Sequence, residues 1–324
     1  MKEIVVGRFG GPEELVLRDR DVPPPAEGEV QVRQAAVGVN FIDVLLRRGE
    51  LGGTPPAPVG LEAAGRVVAV GAGVNGVAVG DRVVYAGGAA GAYCDIRNVR
   101  ADRIIATPPS LSDDDAAAIF FKALTADYLI HKLRPLTQDD TVLFHGAAGG
   151  VGSIAIPWLR SLGVSVVGTT SKPDKAAYAH SLGCQRVAVL GQDDVADAVR
   201  DVSGGKGASV VYDSIGRATI DASFASLARF GLLVTFGWAS GDIDPIPPAK
   251  LRERGSVFVT RPTVSHYIEA RDDYVAAAGR VFAALAAGVF SPHIHETVAL
   301  GDAGRAHHLL ETGGHRGSVI LRSA

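Results

Sequence analysis

Over roughly the first 105 residues, apolar and β-branched positions come in short runs closed by Gly, Asn or Asp, the signature of strands and tight turns. Residues 29–39 (EVQVRQAAVGV), 65–74 (GRVVAVGAGV) and 81–87 (DRVVYAG) are strands on this pattern. The prolines at 23–25 and in TPPAP at 54–58 fall in connections, because proline has no N–H to give to a ladder. The stretch reads as a compact, barrel-like β domain. From about residue 125 the period changes, and short apolar runs alternate with stretches of helical spacing. Strands are expected at 141–145, 164–169, 186–190, 209–213, 232–237 and 256–260, with helices near 150–162, 172–182, 193–202 and 217–229 between the first five. Alternation at this spacing implies right-handed βαβ crossovers and a doubly wound parallel sheet, an α/β fold. The tail carries helices at 268–287 and 302–311 and a last strand at 318–322. A lone terminal strand needs a sheet to join, and the economical one belongs to the first domain, which makes that domain discontinuous.

A chain of 324 residues that is 47% hydrophobic has material for about two cores. Its 40 glycines point to many turns and close backbone approaches. The net charge of −3, without a long basic run, argues against a nucleic-acid partner. The N-terminal stretch contains acidic residues and no long apolar core, and the longest apolar run, 281–290, is too short to span a bilayer. Cys94 and Cys184 are too few for a disulfide framework or a four-cysteine zinc lobe. A soluble, cytoplasmic globular protein is the expectation.

The segment FHGAAGGVG at 144–152 carries the chemistry. Ala147-x-Gly149-x-x-Gly152 fits G-x-G-x-x-G with alanine in the first slot, behind a strand ending at His145 and ahead of a helix starting near Gly150. Gly149 lets the backbone approach a pyrophosphate, whose charge rests on the helix N-terminus. Gly152 lets the helix pack on its strand, and Ala147 has only to make the turn with negative φ. About 20 residues on, NAD-binding chains place an acid on the ribose diol. Here Thr169, Thr170, Ser171, Lys172 and Lys175 stand in that stretch, with Asp174 past Pro173. Hydroxyls and two ammonium groups suit a 2′-phosphate and favour NADP(H) over NAD(H); the other reading is a pair of solvated lysines at a helix start.

Other constellations carry less. Tyr128 and Lys132 form a Tyr-x-x-x-Lys pair, but upstream of the glycine loop, so they read as ordinary helix surface. His293 and His295 alternate as metal ligands on a strand can, without an evident third donor, and read as a surface pair. His307 and His308 are adjacent on a helix and cannot share a face. There is no GxSxG elbow, and neither cysteine has an activating context.

With these residues in view, the chain resembles the zinc-independent medium-chain dehydrogenases/reductases, in the quinone oxidoreductase (zeta-crystallin-like) branch. The resemblance runs through GVNFIDVLLRRG (38–49), GLEAAGRVVAVGAGVNGVAVGDRVVY (60–85), FFKALTADYL (120–129), FHGAAGGVG (144–152), VVYDSIGR (210–217), VTFGWASG (234–241) and GSVFVTRPT (255–263), in order. It implies a GroES-like catalytic domain made of residues 1–124 and 262–324, and a Rossmann domain over 125–261. Zinc alcohol dehydrogenases of the superfamily hold their catalytic metal with Cys and His where this chain has Asn40 and Leu61, which offer neither thiolate nor imidazole, so no metal site is expected. Hydride transfer to an electron-poor acceptor, a quinone or an enone, is the chemistry this leaves.

The resemblance also implies roles. Asn40 and Thr125, the expected catalytic residues, border the nicotinamide. Ala148, Gly149, Gly150 and Val151 hold the pyrophosphate, Ser171 and Lys175 the 2′-phosphate, and Ser214 and Gly216 the ribose. Phe236, Gly237, Trp238, Ala239 and Ser240, with Thr260 and Arg261, close over the nicotinamide amide and its ribose. The branch usually has Tyr where Leu45 stands, an aromatic or His where Leu190 stands, and a small polar residue at Trp238. The expectation is an NADPH-dependent quinone reductase, binding its cofactor in a cleft between two domains and working as a homodimer. The alternatives are an NADPH-dependent enal or enoyl reductase, and a low-turnover NADPH-binding structural or regulatory protein.

Overall fold

The computed structural model describes residues 1–323. In chain order its first elements are β1 (Lys2–Val6), β2 (Leu15–Asp19), β3 (Glu29–Val39), α1 (Phe41–Arg48), β4 (Ala57–Pro58), β5 (Glu62–Val70), β6 (Arg82–Ala86), β7 (Ile96–Arg100), β8 (Ile104–Ala106) and α2 (Asp113–His131). There follow β9 (Thr141–Phe144), α3 (Gly152–Ser161), β10 (Ser165–Thr170), α4 (Ala176–Leu182), β11 (Arg186–Val189), α5 (Val195–Ser203), β12 (Ala208–Asp213), α6 (Ile220–Ser226) and β13 (Leu227–Thr235). The last are α7 (Pro248–Glu253), β14 (Phe258–Thr260), α8 (Val264–Tyr267), α9 (Arg271–Ala286), β15 (Ile294–Ala299), α10 (Ala303–Glu311) and β16 (Ser318–Arg322).

The chain divides into two compact units. The first is Met1–Leu124 with Ile268–Phe282 and the stretch from Pro292 onward; the second is Thr125–Tyr267 with Ala283–Ser291. Residues 262–267 and 283–291, expected from sequence with the first unit's tail, thus group with the second.

In the first unit, β16 pairs antiparallel with β3 through Leu321–Val37 and Val319–Val39, and parallel with β15. The larger sheet runs β15-β16-β3-β5-β6-β8, with β7 also on β3. Along β3, Val30 and Val32 and, past the register shift at Gln34–Ala36 that changes the parity, Val37 and Val39 enter a core shared with Ile4, Val83, Tyr85, Tyr93 and Leu321. A smaller sheet runs β2-β1-β4. There the sequence expectation of a mere connection fails: Ala57 and Pro58 form a strand, with Pro58 opposite Val5. Proline is tolerated because β4 is an edge.

In the second unit the parallel sheet runs β11-β10-β9-β12-β13-β14, the order of a doubly wound fold with β9 at the switch point. Leu143, Val167, Val211 and Leu233 fill one face against Val195, Val199 and Phe224. One boundary moves substantially: β13 starts at Leu227, inside the stretch expected to be helix, and α6 ends at Ser226. The early start needs a kink, and Phe230 supplies it with φ 61° beside a register shift opposite Ala208–Val210.

Candidate active site

The loop after β9 is built by backbone geometry. His145 N–H continues the ladder to the Tyr212 carbonyl at 2.9 Å. Gly146 then turns the chain with φ 73°, a conformation glycine adopts without cost, so the left-handed residue is Gly146 and Ala147 keeps an ordinary backbone. Ala147 N–H reaches the Thr169 carbonyl at 2.9 Å, and Gly149 N–H closes on Gly146 O at 2.9 Å. The helix proper begins at Gly152, with Val151 at the N-cap and no capping side chain. Such an end presents main-chain N–H groups and the positive end of the helix dipole to an anion. The two motif glycines differ. A Cβ at Gly152 would meet the Ala147 carbonyl O at 2.4 Å and its C at 2.8 Å, whereas a Cβ at Gly149 meets only Gly146 O, at 3.2 Å. Gly152 is therefore required by packing, while Gly149 keeps the loop surface bare.

At the end of β10 the two threonines turn inward. Thr169 is fully buried and its Oγ1 lies 3.0 Å from His145 Nδ1, and Thr170 Oγ1 donates to the Lys172 carbonyl at 3.1 Å. Ser171 and Lys172 are exposed. Lys175 closes a 3-10 turn over Pro173–Lys175 and is only 8% exposed, so it is not a solvated helix-start lysine. Asp174 lies in the same turn.

Past β12, Asp213 organises the next loop. Its Oδ1 accepts the Ile215 and Gly216 N–H groups at 2.8 and 3.0 Å, Thr219 Oγ1 lies 2.9 and 2.8 Å from its two oxygens, and Ser223 Oγ donates to Oδ2 at 2.6 Å. Ser214 Oγ donates to the His145 carbonyl at 3.3 Å, which joins this loop to the glycine turn. The loop after β13 is zipped onto it: Ala239 N–H reaches Ser214 O at 3.2 Å, Ser240 N–H and Oγ both donate to Ile215 O, and Arg217 N–H reaches Gly241 O. Glycine is needed at Gly237 and Gly216 for this approach, since a Cβ would lie 2.7 Å from Ser214 O and 2.6 Å from Gly241 O respectively. Phe236 packs its ring 6.0 Å from that of Phe144. Thr260 is in register with Val234, and Arg261 places its guanidinium 4.3 Å from the Trp238 ring centroid while pairing with Asp242. That ion pair holds the Asp242 carboxyl below its ordinary range. Ala148, Gly149, Gly150, Val151, Ser214, Gly216, 236–240, Thr260 and Arg261 are thus gathered at the carboxyl ends of β9, β12, β13 and β14, and Ser171 and Lys175 follow the end of β10.

Asn40 belongs to the first unit and Thr125 to the second. Asn40 sits at the N-cap of α1, where its N–H donates to Asp43 Oδ2 at 2.9 Å and its Nδ2 donates to Glu62 Oε2 at 2.9 Å. Glu62 is fully buried, also accepts the Phe121 N–H at 2.5 Å, and has Lys122 Nζ 3.6 Å away; burial raises its pKa against the pull of that ammonium. Asp43 is likewise buried and pushed up to about 7. Tyr93 Oη donates to Asp43 at 3.2 Å and lies 3.0 Å from His307 Nε2; Arg47, only 1% exposed, pairs with Glu311 at 2.6 Å. Burial pushes His307 down to about 3. Leu45, where the family resemblance led to an expectation of Tyr, is buried, and Thr125 is 7% exposed on α2.

One sequence reading is overturned. Tyr128 is not helix surface: it is 2% exposed and stacks on Tyr267 with centroids 4.5 Å apart, because α2 is apolar on nearly every side. His307 and His308 do take different faces of their helix, as expected: His307 is a fully buried partner of Tyr93, while His308 is exposed. The reading also missed His145, Asp213 and Ser223. A histidine ending an apolar strand and an aspartate ending another were the available signals. Among the described residues, no group of three or more His, Cys, Asp or Glu is placed to hold a metal ion, and no helix is long and apolar enough to cross a membrane.

Comparison with known proteins places this geometry. A family model described as the alcohol dehydrogenase GroES-like domain matches residues 26–109, and one described as zinc-binding dehydrogenase matches 150–281. A quinone oxidoreductase of Salmonella typhimurium is 42% identical over 97% of both chains, and a 2-haloacrylate reductase of a Burkholderia species is 40% identical over 98% of this chain and 97% of its own. The crystal structure of Escherichia coli quinone oxidoreductase complexed with NADPH superposes with a TM-score of 0.96 at 40% identity, covering 99% of this chain and 100% of that one. A GroES-like match followed by a dehydrogenase match, full-length identity and a shared fold lead to one conclusion: the chain belongs to the quinone oxidoreductase family of the medium-chain dehydrogenases/reductases.

Proposed function

We propose that this protein is an NADPH-dependent quinone reductase. The observation that carries the reading is the end of β10, where the chain offers the exposed Ser171 and Lys172 and the buried Lys175 in the stretch where an NAD-binding fold places an acid. A 2′-phosphate fits these donors, and a pyrophosphate fits the uncapped N-terminus of α3 above Gly149. When bound, NADPH supplies a hydride from C4 of its nicotinamide. The protein's part is to bind and orient. Ala148, Gly150 and Val151 offer main-chain N–H groups to the pyrophosphate, and Gly149, its own N–H closed on Gly146 O, keeps the backbone bare for its approach. Ser214 and Gly216 hold the ribose in a loop made rigid by Asp213. Residues 236–240 with Thr260 and Arg261 hold the nicotinamide end. Asn40, its amide oriented by Glu62, and Thr125 take the roles next to the nicotinamide that the family resemblance gives them. An electron-poor quinone accepts the hydride, and the product takes its proton from water, so the site needs no dedicated general acid.

The reading includes the discontinuous catalytic domain of residues 1–124 and 262–324, the Rossmann domain of 125–261, and a homodimer. The dimer is supported by β14, which forms one edge of the parallel sheet and leaves Phe258 62% and nearby Phe230 58% exposed. A cytoplasmic location is supported by two buried free thiols, Cys94 and Cys184. The similarity to a 2-haloacrylate reductase favours one second reading, reduction of an activated C=C bond. Steady-state NADPH oxidation with 1,4-benzoquinone, 9,10-phenanthrenequinone, 2-alkenals and 2-chloroacrylate separates them: turnover of the quinones is expected, and activity on the unsaturated carbonyls alone overturns the proposal. Tight NADPH binding with no acceptor reduced points instead to a low-turnover binding protein.

A further inference from the structure

A chain of buried polar side chains runs beneath the proposed nucleotide site, and its hydrogen-bond directions follow from elementary constraints. His145 is fully buried, with Thr169 Oγ1 3.0 Å from Nδ1 and Ser223 Oγ 3.0 Å from Nε2. Ser223 Oγ is also 2.6 Å from Asp213 Oδ2. An ionised carboxylate only accepts, so the Ser223 proton points at Asp213, and Ser223 Oγ must accept from His145 Nε2–H. A neutral imidazole carries one N–H, which leaves Nδ1 bare to accept the Thr169 hydroxyl. Burial lowers the His145 pKa against the pull of the Asp213 carboxylate, which favours the neutral ring.

We propose that Asp213, acting through Ser223, fixes His145 as its Nε2–H tautomer, and that this chain is a positioning device for the nucleotide. It ties together the ends of β9, β10 and β12, which lead into the glycine turn, the 2′-phosphate stretch and the ribose loop. The nucleotide subsites are thereby set in register before ligand arrives, as a preorganised site requires. Thr169, although it stands where a ribose-binding side chain is expected, is spent on this chain, which leaves selectivity for the 2′-phosphate to Ser171, Lys172 and Lys175. The inference rests on the nucleotide-site reading above for its functional half; the tautomer itself does not.

The test has two arms. In protein labelled with 15N-histidine, the His145 ring nitrogens report the tautomer directly, the signal being assigned by its loss in His145→Gln. The wild type is expected to show Nε2–H. Asp213→Asn is expected to reverse the whole chain: the Asn amide oxygen must face the Ile215 and Gly216 N–H donors, its NH2 then donates to Ser223 Oγ, the Ser223 proton turns to Nε2, and His145 becomes Nδ1–H. An Nδ1–H wild type, or a charged ring at neutral pH, overturns the proposal. In the second arm, fluorescence titration and steady-state kinetics follow Ser223→Ala, which cuts the chain. The NADPH Kd and KM are expected to rise about tenfold, the effect of losing one buried hydrogen bond, with a much smaller change in kcat. Asp213→Asn, reversed but uncut, is expected to stay closer to wild type than Ser223→Ala. Undiminished NADPH affinity in Ser223→Ala overturns the positioning role. A wild type with the expected tautomer that binds no NADPH overturns the nucleotide reading and with it that role, a result distinct from failure of the tautomer.

Discussion

Replacing each of the two motif glycines with alanine separates packing from ligand binding. At Gly152 the new Cβ lies 2.4 Å from the Ala147 carbonyl O, 2.8 Å from its C and 2.9 Å from Gly146 O. An ordinary carbon–oxygen contact is about 1 Å longer. The opposing atoms are backbone in a turn already committed to hydrogen bonds with β10, so no side chain can rotate away. Overpacking of this kind costs about 3 kcal/mol, and the better helix propensity of alanine in the first turn of α3 returns about 1 kcal/mol. The net loss of about 2 kcal/mol corresponds to a fall in Tm of about 4–8 °C for a unit of this size. At Gly149 the only close atom is Gly146 O at 3.2 Å, and φ is not positive, so Gly149→Ala leaves stability within about 1 kcal/mol of wild type. Its methyl stands where a pyrophosphate has to approach the backbone, and losing one charge-assisted contact raises the NADPH Kd about ten- to a hundredfold. Thermal unfolding without ligand and NADPH titration of folded protein measure the two effects apart. An unchanged Tm in Gly152→Ala refutes the packing argument; unchanged NADPH affinity in Gly149→Ala refutes the phosphate argument.

Three further outcomes follow from other parts of the molecule. Lys175→Ala raises the NADPH KM about tenfold and spares NADH, because one charge-assisted bond is lost; equal effects on both nucleotides in steady-state assays contradict the 2′-phosphate assignment. Asp43, raised from 3.8 to about 7 by burial, favours the folded state most below pH 4, and that contribution fades as pH rises through 7. Asp43→Asn removes the dependence, so in urea unfolding the variant gains on wild type by about 2–3 kcal/mol between pH 5 and pH 8. The opposite slope from His307, depressed to about 3 and destabilising as pH falls, is common to both proteins and cancels, so a pH-independent difference refutes the assignment. Phe258→Lys, at the exposed sheet edge, yields a monomer by sedimentation if β14 pairs with a second copy; an unaltered dimer mass places the interface elsewhere.

What the chain alone determined is local and periodic. Short apolar, β-branched runs marked β3 and β16 to the residue, and strand–helix alternation marked the parallel sheet, because burial on one or both faces writes itself directly into the local sequence. The glycine turn was legible for a similar reason, since bare backbone between a strand and a helix is a local requirement. Contacts between distant residues were decided only by the tertiary structure. Which glycine turns left-handed, Gly146, depends on how the loop meets β10. The burial of Tyr128 and His307 depends on Tyr267 and Tyr93, far away in sequence. The chain Thr169–His145–Ser223–Asp213 joins four elements that no spacing rule connects. A buried polar group must find its partner wherever the fold brings one, and that pairing leaves no period in the sequence.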